Sequence, residues 1–228
     1  MNLSSSDVTL INALKDYDFS KMNLIQRQEP VDGQPMATIK TSMGEIQIVL
    51  YPEQAPKTVD NFINRANDGF YNNKPIYAVV ENVYFITGAN EEDGSGGTTN
   101  DGQLIPNECS VDLWPFQGAV IGFSETQGFS DSRFCIIDKY ELTDEDVTEL
   151  RSMTDDEGNR CIPDTIIDEL KKGSIAGLAG LYTVFGQTIK GLDIVQKITA
   201  IVTTEENNYA PADKIMIESV VISEYHAD

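Results

Sequence analysis

Residues 36–228 predict a mainly-β fold, a barrel or a sandwich, and three observations carry that prediction. Short apolar runs of alternating polarity recur at close spacing, turn residues punctuate them, and only two helical patterns lie among them. An α/β sheet would set a helix between most successive strands, and that rhythm is missing.

The elements follow in order. Residues 1–35 read as an N-terminal arm, in which 7–16 (DVTLINALKD) set Val8, Ile11 and Leu14 on one helical face with Ser6 as the expected cap. The rest of the arm is polar and punctuated by Pro30, Gly33 and Pro35, so it packs on the main domain or frays. ATIKTS and EIQIVLY flank Met43-Gly44 as a hairpin, with Ile46, Ile48 and Leu50 alternating. In PEQAPKTVDNFINRANDG, Pro56 suits a first helical turn, Val59, Phe62, Ile63 and Ala66 form one stripe, and Gly69 ends it. KPIYAVVENVYFITGAN (74–90) holds two apolar runs on either side of a polar turn at Glu81-Asn82. Strands are expected at 76–80, 83–87, 117–123, 132–138, 182–188 and 214–223, which with the first hairpin makes eight. A second helix fits GLDIVQKITA, with Leu192, Val195 and Ile198 inward.

The segment 139–174 differs in composition. Thr143 followed by Asp146 forms a capping box at the head of one short acidic helix, and PDTIIDELKK, from Pro163 to Gly173, forms another. A segment this short cannot build its own core, so Leu150, Ile162, Ile166, Ile167 and Leu170 must bury against the main domain, as a lid or wall.

Charge and chemistry exclude several functions. A formal net charge of −21 repels phosphate backbones and anionic bilayers, so neither nucleic acid nor a membrane surface is an expected partner. No apolar run is long enough to span a membrane, and the first residues lack the basic and apolar regions of a signal peptide. Cys109, Cys135 and Cys161 are odd in number and widely spaced, which argues against a disulfide framework and against a metal site. A cytoplasmic, reducing setting is the default, with a secreted or lipid-anchored chain left open. The only histidine, His226, lies near the C-terminus, so no Ser/His/Asp or Cys/His set assembles. GSGGTTNDG (94–102) lacks the Gly-Lys-Ser/Thr ending of a phosphate cradle and reads as a long flexible loop. TDDEGNR fails as a calcium loop because Met153 takes the first ligand position. No metal and no cofactor is expected, and a monomer is.

The order of motifs is more telling. TSMGEIQIVLYPEQAPKTVDNFINRANDGFYNN resembles the opening hairpin and first helix of the cyclophilin family of peptidyl-prolyl isomerases. Gly94-x-Gly96-Gly97 resembles that family's glycine-rich loop, and QGAVIGFS (117–124), SDSRFCII (130–137) and YTVFGQTIKGLDIVQKI (182–198) follow in its order. The resemblance covers 37–138 and 177–224 and implies a closed eight-stranded antiparallel barrel capped by two helices. The arm and the segment 139–174 lie outside it.

The resemblance also implies a site, and this sequence departs from it. Active members carry Phe-His-Arg where this chain has Ile76-Tyr77-Ala78. Their arginine donates to the prolyl nitrogen, drawing its lone pair out of an amide resonance that sets a barrier of ~18–20 kcal/mol. Ala78 donates nothing. Gln-Gly-Gly-Asp becomes Thr87-Gly88-Ala89-Asn90, and Tyr84 falls near the pocket phenylalanine. Ser-Gln-Phe-Phe becomes Ser132-Arg133-Phe134-Cys135, and Ala-Asn-Ala becomes Phe123-Ser124-Glu125. Gly177 stands for a tryptophan or other large residue and Tyr182 for a histidine, while Leu178 is kept. Arg133 and Tyr182 are therefore the surrogate catalytic candidates, and Tyr84, Thr87, Phe123, Cys135 and Leu178 the substrate-binding ones. Two functions compete: a weak prolyl isomerase acting on proline-containing peptides or proteins, and an inactive peptide-binding module.

Overall fold

The computed structural model describes residues 5–155 and 157–227, with side chains from residue 9 onward. Helix α1 (Ser5–Leu14) begins ahead of Ser6, which thus lies inside the helix instead of capping it; the side chain of Val8 is outside the described set. Strands β1 (Pro35–Thr41) and β2 (Gly44–Leu50) form the expected hairpin, with Ile39 opposite Ile46. Helix α2 (Pro56–Asn67) starts on its proline, and a distant side chain caps it: the Glu108 carboxylate accepts from the Lys57 and Thr58 amides at 3.1 and 2.9 Å. Then come β3 (Lys74–Pro75), β4 (Ala78–Val80), β5 (Tyr84–Thr87), β6 (Ile105–Pro106), β7 (Ala119–Phe123), β8 (Phe129–Ser130) and β9 (Arg133–Ile137). Helices α3 (Asp144–Ser152) and α4 (Asp164–Leu170) fill the segment 139–174, before β10 (Val184–Lys190), α5 (Leu192–Thr199) and β11 (Met216–Glu224).

Nine strands make one antiparallel sheet in the order β3-β11-β1-β2-β10-β7-β9-β5-β4, and β6 pairs separately with β8. This corrects the closed eight-stranded barrel: the sheet is open, though strongly curled. Its two end strands are consecutive in the chain. Pro75 still pairs with β11 and Ile76 donates to the Ile215 carbonyl, whereas Tyr77 donates to Ile86 and Ala78 pairs with β5. The expected strand at 76–80 therefore leaves one edge and joins the other, so the sheet curls until its two edges lie side by side, with no ladder between them among the described residues. At the far side of β4 a loop replaces a strand, with the Val79 amide donating to Tyr209 O and the Thr203 hydroxyl to Val79 O.

The curl encloses the main core, where Val79, Phe85, Val120, Phe134, Ile136 and Phe185 meet Val59 and Phe62 of α2 and Val195 and Ile198 of α5. A second core lies outside it. Leu10 and Leu14 of α1 pack with Trp114, Phe116 and all five apolar residues expected to bury from 139–174. Those five bury against the arm and the segment ahead of β7, and among the described residues no sheet strand joins their cluster. Gln26 fastens the arm, donating to Trp114 O at 3.0 Å and to Gln187 Oε1 at 2.9 Å while accepting from the Trp114 amide. The capping box of α3 forms as expected, with the Asp146 amide donating to Thr143 Oγ1 and Asp146 accepting in return from Thr143.

Candidate active site

Successive strand residues face opposite sides, so every second residue of β4, β5, β9 and β7 lies on the outer face. Register pairs Ala78 with Ile86, Ile86 with Cys135, and Cys135 with Ile121, giving one outer row across four strands. The next row runs Val80, Tyr84 and Ile137. Around Cys135 and Ile121 gather Ile86, Tyr84, Leu178 and Tyr182 in one apolar cluster. Four candidates (Tyr84, Cys135, Leu178 and Tyr182) are thus brought together on the outer face as one part-buried apolar surface, the candidate groove, with Ala78 at the end of its central row. The Cys135 thiol is buried, which pushes it up to about 12. Burial likewise raises the Tyr84 phenol, with Cys135, Tyr209 and Tyr182 adding to the effect.

Thr87 does not join them. It is fully buried and donates its hydroxyl to Pro75 O at 2.9 Å, facing the main core. The reason is one residue in the turn. Val80 pairs with Tyr84 across the three residues 81–83, with Asn82 at φ 56°, and that loop length places Ile86 opposite Ala78. A one-residue slip exchanges the two faces of a strand, so Ile86 takes the groove position expected for Thr87.

The other end of the groove holds charge. Phe123 and Arg133 pair one row beyond Ile121 and Cys135, and the guanidinium lies 5.7 Å from the Phe123 ring centroid. Arg133 is only 3% exposed, yet it points neither to solvent nor freely into the groove. Its Nε and Nη2 donate to the two oxygens of buried Asp131 at 3.1 and 2.6 Å; Nη1 donates to Glu125 at 2.8 Å and to Gly94 O at 3.2 Å. Burial opposes the charge of Arg133, but the bonds to Asp131 and Glu125 outweigh it and hold its pKa above the usual arginine value. Ala78 lies two strands away, about 10 Å across the sheet. The cation is committed elsewhere.

Sequence reasoning missed Asp131, Ile86 and Tyr77. Tyr77 stands beside Arg133 and Cys135, its buried phenol pushed up and its hydroxyl without a hydrogen-bond partner among the described residues. The glycine-rich loop is packed down on this end and is not the loose loop expected. A Cβ at Gly94 would come within 2.4 Å of the Tyr77 ring, and one at Gly97 within 2.1 Å of the Asp131 carboxyl carbon. The glycines serve close approach, not phosphate.

Comparison with known proteins agrees with this architecture. Two crystal structures of a Cryptosporidium parvum cyclophilin type peptidyl-prolyl cis-trans isomerase, one in the presence of the dipeptide Ala-Pro, share the fold at 20% identity. Their TM-scores are 0.63 (83% of this chain, 99% of that one) and 0.64 (84% and 98%), the dipeptide structure being the first. A Staphylococcus aureus protein named as a candidate peptidyl-prolyl cis-trans isomerase is 27% identical over 202 residues, covering 86% of this chain and 96% of its own. A Staphylococcus epidermidis counterpart is 25% identical over 198 residues, with the same coverage. Residues 36–222 match the family described as cyclophilin type peptidyl-prolyl cis-trans isomerase/CLD. The chain belongs to the cyclophilin-type peptidyl-prolyl cis-trans isomerase family.

Proposed function

We propose that this member binds proline-containing segments of peptides or proteins in the outer groove and isomerises X-Pro bonds slowly. One observation carries the reading: the groove floor of Ile86, Cys135 and Ile121 is apolar, while its central row ends at Ala78, which offers no donor. An apolar floor suits a prolyl ring, and the relative studied in the presence of Ala-Pro supports a ligand of that kind. Losing a preorganised donor typically costs ~2.7–4 kcal/mol, roughly 10²–10³ in rate. The phenols of Tyr84 and Tyr182 are then the donors available beside a bound amide. The unpaired thiols of Cys109, Cys135 and Cys161 fit a working environment that is reducing.

A second reading, a peptide-binding module without turnover, is favoured by the saturation of Arg133 by Asp131 and Glu125. Isomerisation of a short Ala-Pro peptide, followed beside its binding isotherm, separates the two. A small acceleration that falls further in Tyr182→Phe supports slow catalysis. Binding with no acceleration supports the module, and no binding at all removes both.

A further inference from the structure

Beside the groove the arm and the 139–174 segment enclose a cavity of about 590 Å³. Leu10 of α1, Leu150 and Met153 at α3, Val83 of the β4–β5 turn, Ile175 and Gly177 wall it. The cavity adjoins the groove: Ile175 lines the one and packs in the other, Val83 precedes Tyr84, and Gly177 precedes Leu178. It is open because of Gly177, where an added Cβ would meet nothing within 4 Å. Its outer rim is acidic, formed by Asp146 and Glu149 of α3, a helix that carries three carboxylates in its first turn alone.

We propose that this cavity is a subsite for the peptide in the groove, which rests on the reading above and names the substrate class. It takes one large apolar side chain of the bound peptide, and the rim favours a lysine or arginine next to it. The spacing follows from the strands. From Cys135 to the Tyr84 row is two residues along the sheet and Val83 lies one further, about 10 Å in all, or about three residues of extended peptide. The preferred ligand is therefore an X-Pro segment with a Leu-Lys or Leu-Arg pair about three residues from the proline. The acidity of the chain as a whole supports a basic partner.

The test uses the full chain and fluorescent peptides: an Ala-Pro core, and cores extended on either side to place Leu or Ala three residues away, followed by Lys or Glu. On one side Leu should bind about tenfold more tightly than Ala. Lys should exceed Glu by roughly threefold at low ionic strength, a preference that high salt erodes. The Met153 methyl resonance should shift with the Leu peptide and not with the core. Gly177→Trp, filling the cavity, should bring the Leu-to-Ala ratio to about one. Tyr140→Ala, a truncation of an exposed lining residue, should lower the same ratio without burdening the fold, and Glu149→Lys should reverse the Lys preference. Equal binding of Leu and Ala peptides, with the core still bound, overturns the subsite and leaves the groove standing. A core that does not bind removes the groove and the subsite with it. A Met153 shift that follows protein concentration instead of peptide assigns the cavity to a second copy and overturns the proposal.

Discussion

The two faces of the same strands have different histories written in them. Along β9, Phe134 and Ile136 point into the curl while Arg133 and Cys135 point out of it. The inner face keeps large apolar residues: Phe134 sits against Phe62 and Tyr71, ring centroids 5.5 Å apart in each pair. The outer face, which the proposed function makes the site, carries Ala78, Cys135 and an ion-paired Arg133, where the resemblance implies an arginine, an aromatic ring and an amide. Burial on the inner face decides whether the sheet curls and closes over α2 and α5. The outer face packs in a separate, smaller cluster, so its chemistry can change while the main core stands. Fold and activity here are specified by alternate residues of one strand.

That contrast can be tested, beginning with the largest effect. Phe134→Ala should cost about 3–5 kcal/mol of unfolding free energy, whereas Cys135→Ala, one residue along, should cost only about 1 kcal/mol. Urea denaturation of both variants reads the difference, and equal losses would erase the distinction between faces. Next comes the buried ion pair of Asp131 and Arg133. Asp131→Asn strands Arg133 and should cost about 3 kcal/mol. Adding Arg133→Gln should restore part of that loss, as a double-mutant cycle would show. Ala78→Arg should leave unfolding nearly unchanged and raise isomerisation of an Ala-Pro peptide about 10²-fold. A flat rate would mean that the groove needs more than its missing donor.

The smallest effect is acidic. Arg133's hydrogen bond and charge hold the Glu125 carboxyl below its ordinary value of 4.5. The folded pKa is depressed, so the contribution is complete above pH 4.5 and fades as pH falls below it through the folded value. Glu125→Gln should alter the slope of stability against pH only in that window, which denaturant melts from about pH 6 down to about pH 3 can resolve.

Much of both cores, and one helix cap, was legible in the residues alone. The α2 stripe, the inward Val195 and Ile198, the capping box at Thr143 and the burial of Ile166, Ile167 and Leu170 all follow periodicities of a few residues, and each is found. The two-residue strands β3, β6 and β8 are too short to leave a period. The open sheet was hidden for a related reason, since Ile76 and Tyr77 hydrogen-bond to opposite edges. At the site, the turn residue Asn82 decided which of Ile86 and Thr87 faced outward, and turn length is a parity that composition does not display. A glutamate partner for Arg133 was within reach of the sequence, but Asp131 was not, because its bonds depend on where β9 begins. Tyr77 carried a signal that could have found it. It neighbours Ala78, which the resemblance aligns with the family's arginine.

The second core has a consequence for the order in which the molecule assembles. Leu10, Leu14 and Gln26 are made early in synthesis, yet their partners Trp114, Ile166, Leu170 and Gln187 emerge far later. Until then the apolar side of α1 has nothing to cover it, and an isolated helix of ten residues is marginal in water. Closing so long a loop adds little entropy beyond that of a shorter one, but contacts this distant in sequence form late. Docking of the arm is therefore expected late, onto a sheet already curled, and the wall of the cavity beside the groove is finished only when Leu10 returns to it.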